Sequence, residues 1–128
     1  MTLRIIKSNI YSVGVLDWDR TLFDEIIPLP EGTSYNSYLI KGSQKTALID
    51  TADPSKKEEF LNNIKGQNID YIISHHAEQD HSGLIPDVVD LYPEAKVLTN
   101  PKCKELLMEL LLPPLTEEQQ LLTLMNLV

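Results

Sequence analysis

Four side chains able to bind a metal fall within six residues: His76, Glu78, Asp80 and His81, in the stretch 71–83, YIISHHAEQDHSG. In an extended or irregular loop, side chains two apart can converge on one point, and His76 and Glu78 have that spacing, as do Glu78 and Asp80. Asp80 and His81 are adjacent and point apart, which lets them serve a second ion. Two carboxylates buried together without a cation repel each other and resist ionisation. A bound cation reverses that cost. Mixed imidazole and carboxylate donors suit iron, manganese or zinc, and the lack of thiolate disfavours soft-metal sites. The bland alternative is a solvated polar loop whose carboxylates cap a helix. His75 is outside the spacing and reads as a neighbour of the site.

These residues need a strand to deliver them. Ile69 to Ser74 reads as that strand, and sites in open α/β sheets gather at strand ends. Upstream, Lys45 to Ile49 reads as another strand. Asp53 is placed to cap a helix with Pro54 at its first position. Lys56 to Lys65 follows as the helix, with Phe60, Leu61 and Ile64 on one face and Gly66 as its stop. Strand, helix and strand form a βαβ unit with a right-handed crossover.

Further upstream, Leu3 to Lys7 and Ile10 to Trp18 read as a hairpin turning at Ser8-Asn9. Residues 17–32 carry Pro28, Pro30 and Gly32 and read as an irregular loop with one short extended piece, Trp18 packing in or beside it. Thr33 to Lys41 is the next strand, turning at Gly42-Ser43. Downstream, Leu84 to Leu91 is a short helix with Pro86 in its first turn. Lys96 to Thr99 is a short buried strand. Pro101 to Leu112 is a helix capped by Asn100, with Leu106, Leu107, Leu110 and Leu111 as its apolar face. After Pro113-Pro114, Thr116 to Gln119 matches a capping box. Residues 121–128 then read as a last helix that is apolar on most sides.

The chain has 128 residues, 42% of them hydrophobic and 23% charged, which implies one globular domain at most. Its net charge of −8 argues against nucleic acid and against an anionic membrane surface. The one cysteine, Cys103, cannot form an internal disulfide and reads as a structural thiol, in keeping with a cytoplasmic setting. No run approaches the roughly 18–20 apolar residues of a membrane helix. There is no G-x-S-x-G elbow, and the cysteine has no evident base, so covalent catalysis has no support.

With these residues laid out, the chain resembles the flavodiiron proteins, or A-type flavoproteins, over the first part of their metallo-β-lactamase-like domain. The likeness runs from about Ile10 to Leu112. Its clearest parts are VGVLDWDRTLFDEIIPLPEGTSYNSYLIKG, KTALIDTADPSKKEEFL and IDYIISHHAEQDHSGLIPDVVDLYP. Zinc hydrolases of the wider superfamily use H-x-H-x-D-H, whereas the second position here is Glu78. The H-x-E-x-D-H variant looks like the flavodiiron version, and a carboxylate there makes the site harder, as suits iron.

The resemblance implies an α/β fold, the first half of an αββα sandwich, with the sheet bearing helices on one face. It implies a diiron site that reduces dioxygen or nitric oxide, with His76 and Glu78 on one iron and Asp80 and His81 on the other. In such proteins FMN sits in a following flavodoxin-like domain, and electrons come from a rubredoxin-like donor. Neither that domain nor the remaining ligands occur here: no His follows His81 and no Asp follows Asp90. The expected organisation is therefore a first part of the metal domain over 1–112 and a divergent apolar tail over 113–128. Such a half-sandwich leaves one sheet face to be covered by a second polypeptide or a second copy. Three readings follow. One is a split or truncated flavodiiron part, inactive alone. Another is a non-catalytic interaction module or remnant. The third is a metal-dependent hydrolase of the wider superfamily.

Overall fold

The computed structural model describes residues 3–110 and the backbone of 121–123. Eleven strands and four α-helices occur among them. The strands are β1 (Arg4–Lys7), β2 (Ile10–Ser12), β3 (Val15–Asp17), β4 (Leu22–Phe23), β5 (Ile27–Pro28), β6 (Thr33–Tyr35), β7 (Tyr38–Lys41), β8 (Thr46–Ile49), β9 (Tyr71–Ile73), β10 (Lys96–Thr99) and β11 (Leu121–Thr123). The helices are α1 (Lys57–Ile64), α2 (Gln79–Ser82), α3 (Ile85–Leu91) and α4 (Pro101–Leu110), with a 3-10 turn at Pro54–Lys56.

Seven strands form one sheet in the order β1-β2-β7-β8-β9-β10-β11. β1, β2, β7 and β8 pair antiparallel, and β8, β9, β10 and β11 pair parallel. The parallel strands advance in one direction, so right-handed crossovers set their connecting helices on one face. The core agrees. Leu39, Leu48, Ile72 and Val97 occupy one cross-strand row and are fully buried with Phe60, Ile64, Val88 and Leu107 of the helices. Burial of each such side chain contributes about 1.5–3 kcal/mol. In the opposite row Tyr38, Ile49 and Ile73 are half-buried and Leu98 is buried, and none of the four belongs to that core.

Several expected boundaries move. The two long strands, 10–18 and 33–41, each break in the middle. β2 pairs with β7 in the main sheet, while β3 pairs with β6 in a separate ribbon. The bend sits at Gly14, where a Cβ would lie 2.1 Å from the Tyr35 carbonyl oxygen, so the two strands can close only on glycine. The loop 17–32 holds a small hairpin, β4–β5. Trp18, expected to pack, is 72% exposed, because the ribbon turns its neighbour Asp17 inward instead. On α4, Cys103 and Leu107 are buried, whereas Leu106 and Leu110 are exposed. Cys103 and Met108 join Leu107 in the packed face in place of Leu106 and Leu110. The last helix is also corrected. Leu121 to Thr123 is strand β11, parallel to β10, since the open edge of β10 offers hydrogen bonds that outweigh local helix preference. The capping box at 116–119 lies outside the described residues.

Candidate metal centre

The motif loop leaves the C-terminal end of β9, between the ends of β8 and β10. Asp50 N donates to Ile73 O at 2.9 Å, and Ser74 N donates to Leu98 O at 2.9 Å, so the ladder runs on past the strand ends. Asp53 caps the turn at Pro54, accepting from Ser55 N at 3.0 Å. The expected polar loop is in part helical: α2 spans Gln79–Ser82 and carries Asp80 and His81. Ser82 is buried and donates to Ala77 O at 2.8 Å, which closes that short helix.

Thr51 clasps the loop. Its N and Oγ1 both donate to His81 O, each at 2.7 Å, and Oγ1 accepts from Leu84 N at 3.2 Å. Gly83 packs against Pro54, where a Cβ would meet the proline ring at 2.7 Å. The segment 50–54 is therefore the bed on which the motif lies.

Asp50 is 2% exposed and sits at φ +57°, in the left-handed region that β-carbon sterics disfavour. That backbone aims its carboxylate across the loop. Oδ1 accepts from His75 N at 2.9 Å. Oδ2 meets His75 Nδ1 at 2.5 Å and His81 Nδ1 at 3.1 Å. Asp50, His75 and His81 offer atoms within 4.8 Å of one another, close enough to be a candidate metal group. A carboxylate only accepts hydrogen bonds, so each Nδ1 facing it carries a proton and leaves Nε2 with its lone pair.

The four residues of the motif fall unevenly. His81 Nε2 lies 3.7 Å from Asp80 Oδ2. Bonds of about 2.0–2.2 Å at angles between 90° and 120° set two ligand atoms roughly 2.8–3.8 Å apart, so one ion fits between them. The His76 and His81 rings lie 5.0 Å apart between centroids. His76 is set differently: its Nδ1 accepts from Glu78 N at 3.2 Å, which places the proton of the neutral ring on Nε2. Ligation through Nε2 requires that proton to move and that bond to break. His76 and Glu78 are exposed and share with Leu106 and Leu110 the rim of an open cavity of about 490 Å³. Glu78 and Asp80 also border a smaller cavity of about 150 Å³, beside Arg20 and Asp53.

The sequence spacing does not single out Asp50, and it leaves His75 as a neighbour of the site. The signal for Asp50 was the polar run Asp50-Thr51-Ala52-Asp53 at the end of a strand parallel to the motif strand. Cys103 is buried with Sγ 3.9 Å from Ser74 Oγ, the structural thiol expected.

Residues 30–123 match the family described as the metallo-beta-lactamase superfamily. The chain belongs to that superfamily. Within it the chain is similar to flavodiiron proteins. A flavo-diiron protein of Clostridium acetobutylicum is 46% identical over 99 residues, which are 74% of this chain and 24% of that one. The anaerobic nitric oxide reductase flavorubredoxin of Salmonella arizonae is 39% identical over 98 residues, 73% of this chain and 20% of that one. The solved rubredoxin oxygen:oxidoreductase of Desulfovibrio gigas superposes with a TM-score of 0.84 at 27% identity, covering 95% of this chain and 31% of that one. This member of the superfamily thus spans about a quarter or less of those two curated relatives and corresponds to the metallo-β-lactamase-like part of flavodiiron proteins. The fold expected from the sequence, one half of an αββα sandwich, agrees with these neighbours. Among the described residues, no helix is long and apolar enough to cross a membrane.

Proposed function

We propose that this chain carries the first ligands of a flavodiiron-type diiron centre, His76, Glu78, Asp80 and His81, with Asp50 holding the imidazoles of His75 and His81 in register. The observation that carries the reading is the pair of contacts made by His81: Nδ1 on the buried Asp50 carboxylate, and Nε2 at one-ion distance from Asp80. Iron bound there supplies a redox-active Lewis acid for reduction of dioxygen or nitric oxide. The chain's own part is to set ligand atoms, fix tautomers and supply negative charge. Four such ligands leave two ions underbound. The remaining ligands come from outside these 128 residues, as do FMN and a rubredoxin-like electron donor, in a reducing cytoplasm. By itself the chain binds metal weakly and turns nothing over.

The test is metal content per chain after iron-supplemented expression, beside a His76→Ala/His81→Ala control. Substoichiometric iron that the control abolishes supports the reading. Iron equal in the control and the wild type overturns it. A second reading, an interaction module, is favoured by the half-buried apolar residues Tyr38, Ile49 and Ile73, which among the described residues lie on the sheet face away from the helical core. There the occupant is the second half of the sandwich or a second copy, and sedimentation at rising concentration distinguishes the two.

A further inference from the structure

A partly buried charged network lies beside the motif without touching the imidazoles. Asp17 is 4% exposed, and its Oδ2 accepts from the Tyr35 hydroxyl at 2.7 Å. Arg20 Nη1 donates to that hydroxyl at 3.2 Å and to Asp53 Oδ2 at 2.9 Å. Arg20 Nε donates to Leu22 O at 3.2 Å, and the guanidinium lies 5.7 Å from the Phe23 ring centre. Asp17 Oδ1 accepts from the amides of Asp19 and Arg20, each at 3.2 Å, and lies 3.4 Å from Lys56 Nζ. One guanidinium thus ties the loop after β3, the ribbon strand β6 and the turn into α1.

The turn into α1 is the far end of the bed under the motif. Asp53 is three residues from Asp50, and Ala52 between them is fully buried, so the segment has no room to shift alone. At one end Arg20 grips Asp53. At the other, Asp50 and Thr51 hold His75 and His81. Arg20 is also the one cation among the groups lining the small cavity that Glu78 and Asp80 share with Asp53. It offsets carboxylate repulsion there without entering the proposed ligand set. Nη1 serves Tyr35 and Asp53 while Nε serves Leu22 O, a planar set of donors that the single nitrogen of a lysine does not reproduce.

We propose that Arg20 is a positioning residue for the imidazoles of His75 and His81, acting through Asp53 and the segment 50–54. The inference rests on the proposed metal centre for its purpose, yet it is read in the metal-free chain. The experiment compares wild type, Arg20→Gln and Arg20→Lys without metal. It measures imidazole ¹⁵N shifts and the exchange rate of the Thr51 amide. Arg20→Gln is expected to move the His75 and His81 signals and to speed Thr51 exchange about tenfold or more, while Tyr92, whose amide bonds lie within α3, keeps its protection. Arg20→Lys restores part of both effects. Lys57→Ala, which removes the ion pair that α1 makes with Asp87 of α3, changes neither. Should Arg20→Gln fail to fold, Asp53→Asn keeps the cap at Ser55 and weakens only the grip. The same changes in smaller size are then expected. Wild-type imidazole shifts and Thr51 exchange in a folded Arg20 or Asp53 variant overturn the proposal. Cobalt(II) titration of the wild type tests the metal centre separately. A chain that binds none refutes the proposed function and leaves the Arg20 readouts intact.

Discussion

His81 Nδ1 lies 3.1 Å from Asp50 Oδ2, a contact across 31 residues that joins the end of β8 to α2. The carboxylate orients an imidazole whose other nitrogen faces Asp80. Asp50→Asn keeps the size of the side chain and tolerates the positive φ, since asparagine enters that region readily. Its expected effect is a fall in cobalt(II) or iron(II) affinity of about 10–100-fold, the usual range for loss of a group that orients a ligand. Competition titration measures it. Unchanged affinity in a folded variant would show that Asp50 does not act on the site.

Gly83 occupies ordinary helical φ, so its need is for space and not for conformation. A β-carbon there would come within 2.5 Å of the Gln79 carbonyl oxygen and 2.7 Å of the Pro54 ring. Gly83→Ala is therefore expected to push the motif off its bed, at a cost of about 1–3 kcal/mol. Urea melts give the cost. A variant as stable as wild type would mean that Pro54 and α2 separate freely.

The parts legible in the sequence were those set by local chemistry. Asp53 and Pro54 announced a helix start, Gly66 its end at φ +78°, and β8–α1–β9 a parallel unit. The H-x-E-x-D-H spacing announced donors at a strand end. The bend at Gly14 was not legible, because it depends on a strand 21 positions away. Asp50 was hidden for a similar reason: its partner is reached only through strand pairing. His75 looked redundant beside His76, yet its Nδ1 shares the Asp50 oxygen, while His76 turns back on its own loop. Helix α2 was missed because four residues are too few to show a period.

The network around Arg20 gives the stability a pH dependence on both sides. Burial pushes the Tyr35 hydroxyl up to about 12 from 10.0, with the bond to Asp17 adding to the rise. A raised value means that the folded state favours the neutral phenol. That contribution is complete below pH 10 and is lost as pH climbs towards 12. Burial opposes charge on Asp17 and Asp53. Tyr35 and Lys56 outweigh it for the first, and Ser55 and Arg20 for the second, so both carboxyls fall below 3.8. Their contribution holds above that pH and is lost as pH drops through the lowered values. Tyr35→Phe should cost about 1–3 kcal/mol at pH 7, by leaving Asp17 Oδ2 without its donor. It should also lose stability less steeply than wild type between pH 10 and 12. Parallel alkaline slopes in the two proteins would refute the assignment to Tyr35.

Ile72 and Ile73 are neighbours in β9 that point to opposite faces of the sheet. Ile72 pairs across with Leu48 and Val97 beneath the helices and is fully buried, while Ile73 pairs with Ile49 and Leu98 on the face away from that core and is half-buried. Ile72→Ala is expected to cost about 2–5 kcal/mol, since it opens a cavity in a closed core. Ile73→Thr keeps β-branching and meets water on its own face, so its cost in the isolated chain should stay below about 1.5 kcal/mol. If that face is where the other half of the sandwich or a second copy seats, Ile73→Thr also weakens association, and Ile72→Ala does not do so in the fraction that remains folded. Equilibrium urea unfolding separates the two costs, and sedimentation at several concentrations separates the two associations. Equal costs would mean that the face away from the core is already covered within this chain. A costly Ile72→Ala beside a cheap Ile73→Thr that dissociates would make that face the surface through which this half of the fold is completed.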